Sequence, residues 1–183
     1  MEIHRRTTGI ILAFALFMAV AIAVRLLPHA PNMTPLGALA LTAGLFLRGR
    51  WTWVIPMAVL FATDLVLGGY AWPVMLAVYG SFALITWIGQ QLRSASRPAQ
   101  VIVGSASASL FFFLTTNFAV WAWTPMYEKT WNGLMLSYTL AIPFFRNMFV
   151  GDLFYTTSFI AIIVAVQHLT AVKYFYGTTT IGH

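Results

Sequence analysis

The side chains able to do chemistry in this chain are few, and they interrupt otherwise apolar stretches. They are Arg25, His29, Asn32, Asp64, Tyr79 and Asn117, followed by Arg146, Asn147 and Asp152 in one short segment. Two carboxylates, two guanidiniums, three amides and a phenol can hold a polar ligand through charge and hydrogen bonds. They do not spell a reaction centre. No H-E-x-x-H, G-x-S-x-G or phosphate-cradling Gly-rich loop is present, so neither a zinc hydrolase, a serine hydrolase nor a nucleotide-driven machine is indicated. Cysteine is absent, which removes thiol nucleophiles, disulfides and thiolate metal sites together. His29 is a lone imidazole with no second metal ligand at a useful spacing. Asn32-Met-Thr34 matches a glycosylation sequon but lies beside apolar sequence. These residues point to recognition rather than catalysis, with no cofactor and no metal expected, and with any energy source belonging to a partner.

Their cost gives them meaning. The 183-residue chain is 60% hydrophobic and 8% charged, with a mean hydropathy of +0.82. Soluble domains carry about 25% charged residues, so a water-solvated globule is excluded and a polytopic membrane protein remains. The net charge of +6 comes from ten scattered Lys and Arg. They form no stripe able to track a nucleic-acid backbone.

The elements that must position the polar groups are apolar segments of about 20 residues, with roughly 17 as a lower bound for spanning. Segments 7–27, 36–47, 51–67, 73–92, 101–121 and 144–168 are read as six transmembrane helices of one all-α bundle, with a short interfacial helix over 134–142 before Pro143. The segment 36–47 is short and must extend, tilt or shelter among its neighbours. The basic start followed by 21 apolar residues without a cleavage pattern reads as a retained first helix. Placing both termini in the cytoplasm puts Arg5, Arg6, Arg48, Arg50, Arg93, Arg97 and Lys173 on the inner side, and only Arg25, Lys129 and Arg146 on or near the outer one. That is the positive-inside pattern.

With this orientation these ionisable and amide groups all fall in the outer half, and the inner half is nearly free of them, with a run of small residues over 104–109. The expectation is a pocket open to the outside and closed below, rimmed by Tyr70, Trp72, Trp121, Trp123, Tyr127 and Trp131. Asn117, Arg146, Asn147, Asp152 and Asp64 would supply polar contacts, and Trp121, Tyr79 and Trp72 stacking or lining surfaces, with His29 and Asn32 in the adjoining loop. The alternative is that the charges pair with one another and the amides tie helices together. On the first helix Ala15, Ala19 and Ala23 recur every four residues, a strip where a partner helix can approach closely or where internal packing is tight.

Three motifs carry a resemblance. They are Arg25-Leu-Leu-Pro-His-Ala-Pro-Asn-Met-Thr-Pro-Leu-Gly-Ala-Leu-Ala-Leu41, Thr116-Asn-Phe-Ala-Val-Trp121, and Ile142-Pro-Phe-Phe-Arg-Asn147 with Gly151-Asp152. Together they resemble a bacterial family of small, uncharacterised membrane proteins similar to the substrate-binding S components of energy-coupling-factor vitamin transporters. The resemblance implies six helices with both termini inside and a vitamin pocket near the outer face. It also implies an alanine strip, here Ala15, Ala19 and Ala23, that docks on a membrane coupling subunit served by ATPases. A cobalamin-type variant uses a cysteine to contact cobalt; that ligation cannot carry over, and His29 is the one candidate substitute. The expected function is a solute-binding subunit for uptake of a vitamin-sized micronutrient across the bacterial inner membrane. The alternative is a non-transporting scaffold of an envelope assembly complex, whose polar groups would be locked in mutual pairs with no cavity between them.

Overall fold

A computed structural model describes residues 2–95 and 97–178, with side chains from 8 to 167. The side chains of Arg5, Arg6 and Lys173, used above for orientation, lie outside the described ones. The described chain is all-helical: α1 (Glu2–Leu26), α2 (Leu36–Phe46), α3 (Trp51–Leu67), α4 (Trp72–Gln91), a 3₁₀ turn (Leu92–Ser94), α5 (Pro98–Trp123) and α6 (Trp131–Thr178). Four segments are long and apolar enough to cross a membrane: Thr8–Leu26, Trp72–Ser94, Pro98–Trp123 and Trp131–Gln167. Much of the outer surface is apolar, with Leu16, Leu65, Val66, Leu76, Val103 and Phe154 all exposed. Such an apolar exterior suits lipid, where each helix satisfies its own backbone.

α2 organises the bundle. Its 11 residues rise only about 17 Å, against a hydrocarbon core of about 30 Å. It is sheltered, as its length requires: eight of its residues are buried, and it packs against all five other helices. Small residues allow this. A Cβ on Gly44 would collide with the Thr86 carbonyl and Gly89, and one on Gly89 with the Leu41 carbonyl. The α2 and α4 backbones therefore touch, as small-residue membrane interfaces do. Gly104 and Ala108 on α5 are likewise buried.

The ends of α2 are held by opposite charges. Arg93, just past α4, donates from Nε to the Gly44 carbonyl at 2.7 Å and from Nη2 to the Leu47 carbonyl. A cation at a helix C-terminus meets both the free carbonyls and the negative dipole end. At the other end stands Asp152 of α6.

The main departure from expectation is α6, which runs unbroken through Pro143 where the sequence suggested a separate 134–142 helix. Proline leaves the Thr139 carbonyl without its usual donor, but membrane helices tolerate that loss. Phe113 of α5 packs on residues either side of the proline, with ring centroids 5.5 Å from Tyr138 and 4.7 Å from Phe145. The Tyr138 hydroxyl adds a 2.9 Å bond to the Leu114 carbonyl. These contacts hold both halves of α6 along one neighbour. Arg146 consequently does not open a helix; it stands fifteen residues beyond Trp131.

Candidate functional site

Because α2 starts partway through the bundle, the space beyond its first turn is filled by no helix. There the structure has a cavity of about 400 Å³, inside the ~300–1,000 Å³ range of small-molecule sites. Its walls are Leu60 and Leu67 of α3, Val74, Val78, Phe82 and Ile85 of α4, Phe112 of α5 and Met148 of α6. Arg25, His29, Asn32, Thr34, Tyr70 and Asp152 supply the polar groups. The cavity end is also the end where the α1–α2, α3–α4 and α5–α6 connections gather.

The α1–α2 connection is shaped by its own sequence. Pro31 and Asn32 are the central residues of a turn closed by the Met33 N–H donating to the Ala30 carbonyl at 2.9 Å. Asn32 has φ +61°. Proline second and a left-handed Asn third is the pattern of a type II turn. Asn147 of α6 donates to the Pro31 carbonyl at 3.1 Å, and Gly151 packs on Met33, so the turn is pinned to α6. His29 Nδ1 lies 2.7 Å from the Leu27 carbonyl. A carbonyl only accepts, so that nitrogen carries the proton, and in the neutral ring Nε2 keeps a free lone pair.

One wall is a charged network. Arg25 reaches Asp64 Oδ1 at 2.6 Å, Thr63 Oγ1 at 2.6 Å and the Leu60 carbonyl at 3.3 Å. The other carboxylate oxygen accepts from Tyr79 at 2.9 Å and Tyr70 at 3.2 Å. Burial first, and then the Asp64 carboxylate, raise Tyr70 above its ordinary value, so its hydroxyl stays protonated and donates. One ion pair and two phenols thus join α1, α3, the α3–α4 loop and α4.

The floor is Asp152. It is 4% exposed and accepts from Ser109 Oγ of α5 at 2.7 Å and from the Ala38 N–H in the first turn of α2. Gly37 is what admits it: a Cβ there would overlap both carboxylate oxygens. A carboxylate over a helix N-terminus meets unsatisfied donors and the positive dipole end.

The sequence-chosen residues divide accordingly. Asp152, His29 and Asn32 line the cavity, while Asp64 and Tyr79 stand behind Arg25 and Tyr70 and hold them. Asn147 ties down the turn. Four others are not brought to the site. Asn117 donates to its own helix at the Phe113 carbonyl, 2.7 Å away. Trp121 Nε1 donates to the Glu128 carbonyl at 2.9 Å. Trp72 lies in a separate groove with Trp123. Arg146 is exposed. Of the aromatic rim only Tyr70 lines the cavity. Sequence reasoning missed Gly37, Ser109, Phe82 and Phe112. The signal for Ser109 was its place in the small-residue run 104–109, and for Gly37 its position just after Pro35. Ala15, Ala19 and Ala23 are all exposed along α1, whereas Ala13 and Ala21 face inward.

No curated protein and no solved structure matches this chain. One family model does, over residues 5–174. That span includes every residue of the cavity and its supporting network, and the chain belongs to this family, described as a family of unknown function (DUF6580).

Proposed function

We propose that the protein is a substrate-binding membrane subunit for uptake of a vitamin-sized micronutrient, which it captures in the cavity above α2. The reading takes all six helices as membrane-embedded, both termini as cytoplasmic and the cavity as open to the outside of the bacterial inner membrane. The observation that carries it is the cavity itself: a void of about 400 Å³ with polar groups at its floor and mouth and apolar walls between them. Orientation is supported by charge. Arg48, Arg50, Arg93 and Arg97 lie in the two connections at the end opposite the cavity, and cations concentrate on the cytoplasmic side. The chain has no nucleotide site in its sequence, so release inward would draw on a partner. The exposed Ala15, Ala19 and Ala23 face is where a membrane coupling subunit with ATPases would dock.

The scaffold reading has one observation in its favour, the Arg25–Asp64 pair, which uses up two of the four charges Arg25, Asp64, Arg146 and Asp152. It has no use for a ligand-sized void.

The test is a screen of the purified protein against vitamins by thermal shift and native mass spectrometry, with Val78→Phe as the cavity-filling variant. One ligand binding at one-to-one stoichiometry, and lost in V78F, is the expected result. A folded wild type that no vitamin stabilises, together with undiminished micronutrient uptake by cells carrying V78F, overturns the reading.

A further inference from the structure

We infer that the cavity ligand carries a single positive group, a protonated amine, amidinium or quaternary nitrogen on a flat apolar body, and that this group seats against the Asp152 carboxylate. The inference rests on reading the cavity as a ligand site and adds the charge class of what enters it.

The charges around the void do not balance. Arg25 lines it, but its guanidinium is committed to Asp64, Thr63 and the Leu60 carbonyl. Arg25 and Asp64 cancel at 2.6 Å. Asp152 has no such partner: among the described residues no cationic side chain pairs with it, and it is held by a hydroxyl and a backbone N–H. The N-terminus of α2 offsets about half an elementary charge. With Asp152 ionised, the cavity floor is net negative, within walls that screen charge poorly.

Each ligand class meets this floor differently. An anion would face the carboxylate with its natural counter-ion already taken. A neutral molecule would leave an ionisable group at membrane depth without a counter-charge, which membrane proteins avoid. A cation completes the balance. The aromatic side chains Tyr70, Phe82 and Phe112 also line the cavity, and aromatic rings attract a cation further and suit a flat ring.

The test uses one ring skeleton in three charge states: pyridoxamine with its ammonium, pyridoxine with a hydroxyl in its place, and 4-pyridoxate with a carboxylate. Thiamine serves as a second cationic probe and biotin as a second anionic one. Binding to the detergent-purified full chain is read by native mass spectrometry and thermal shift. The expected ranking on wild type is cation first, by at least tenfold within the isosteric series or for thiamine over biotin. In Asp152→Asn that preference disappears, and in Ser109→Ala, which keeps the carboxylate, it remains. The wild-type ranking needs no variant, so a poorly folding D152N does not rescue the idea. Equal or tighter binding of the neutral or anionic probes overturns the charge class and leaves the ligand-site reading standing. Cation binding unchanged in D152N also overturns it. Binding by no probe in any charge state removes both readings.

Discussion

Replacing Arg25 by Met tests whether the outer wall of the cavity is held by charge. The guanidinium makes contacts at 2.6 Å to Asp64, 2.6 Å to Thr63 and 3.3 Å to the Leu60 carbonyl, and the Asp64 residue is 6% exposed. Met keeps the apolar stem and removes all three donors. Asp64 is then left with two phenol hydroxyls and no counter-charge, a situation that costs about 3–5 kcal/mol in buried pairs. Because this pair stands near a helix end and not at the bundle centre, the lower figure, about 3 kcal/mol, is the expected loss. Removing both charges, in Arg25→Met/Asp64→Leu, takes away the stranded carboxylate along with its partner. The double variant should therefore recover most of that loss, with a coupling of about 2 kcal/mol between the sites. Tyr79→Phe deletes one of the two phenol donors and should cost about 1 kcal/mol. Equilibrium unfolding of wild type, R25M, Asp64→Leu alone, the double variant and Y79F in one detergent gives every term of the comparison. The reasoning is refuted if R25M costs no more than Y79F, or if the double variant is as unstable as the sum of the singles.

Three further substitutions probe the rest of the frame. Gly37→Ala places a methyl group against both Asp152 oxygens; overpacking of this kind costs about 1–3 kcal/mol, visible as a lower unfolding midpoint together with weaker ligand binding, whereas Ala at the open position Gly80 should lower neither and, in a helix interior, should raise the midpoint slightly. Arg93→Met strips α2 of the cation on its Gly44 and Leu47 carbonyls and should cost up to about 2 kcal/mol, with Arg93→Lys recovering part of it in the same unfolding assay. Arg146→Leu removes a charge that neither lines the cavity nor joins the Arg25–Asp64 network, so stability should stay within about 0.5 kcal/mol and the affinity of any cavity ligand should be unchanged.

Much of the bundle was legible because its boundaries are written in breakers. Arg48-Gly-Arg50 and Gly68-Gly69 bracket 51–67, and α3 occupies those residues. Proline and charge likewise bound α2 and α5 to within a few residues. Pro143 misled because a proline that would end a helix in water is tolerated in lipid, and Phe113 clasps α6 on both sides of it. Grouping was also legible: Asp64, Tyr79, His29, Asn32 and Asp152 all belong to the cavity or the network behind it. Direction around each helix was not. In a soluble bundle the polar face reveals which side is buried, but here lipid-facing and core-facing sides are equally apolar. Asn117 shares a depth with the cavity yet stands five residues from Phe112, about 140° around the helix, and so misses it. Gly37 was invisible for a different reason, since its role depends on where Asp152 arrives from α6.

The central claim is that the void above α2 opens to the outer face and takes a ligand there. The absence of cysteine makes single-cysteine labelling free of background. Thr34→Cys lies in the cavity lining, and Ser94→Cys is exposed in the turn at the opposite end. On intact spheroplasts, the membrane-impermeant reagent methanethiosulfonate-ethyltrimethylammonium should modify T34C without permeabilisation, and a bound ligand should slow that reaction at least tenfold. S94C should react only after the membrane is opened. Labelling of S94C but not T34C from outside, or a T34C rate indifferent to every ligand that binds, would contradict the account.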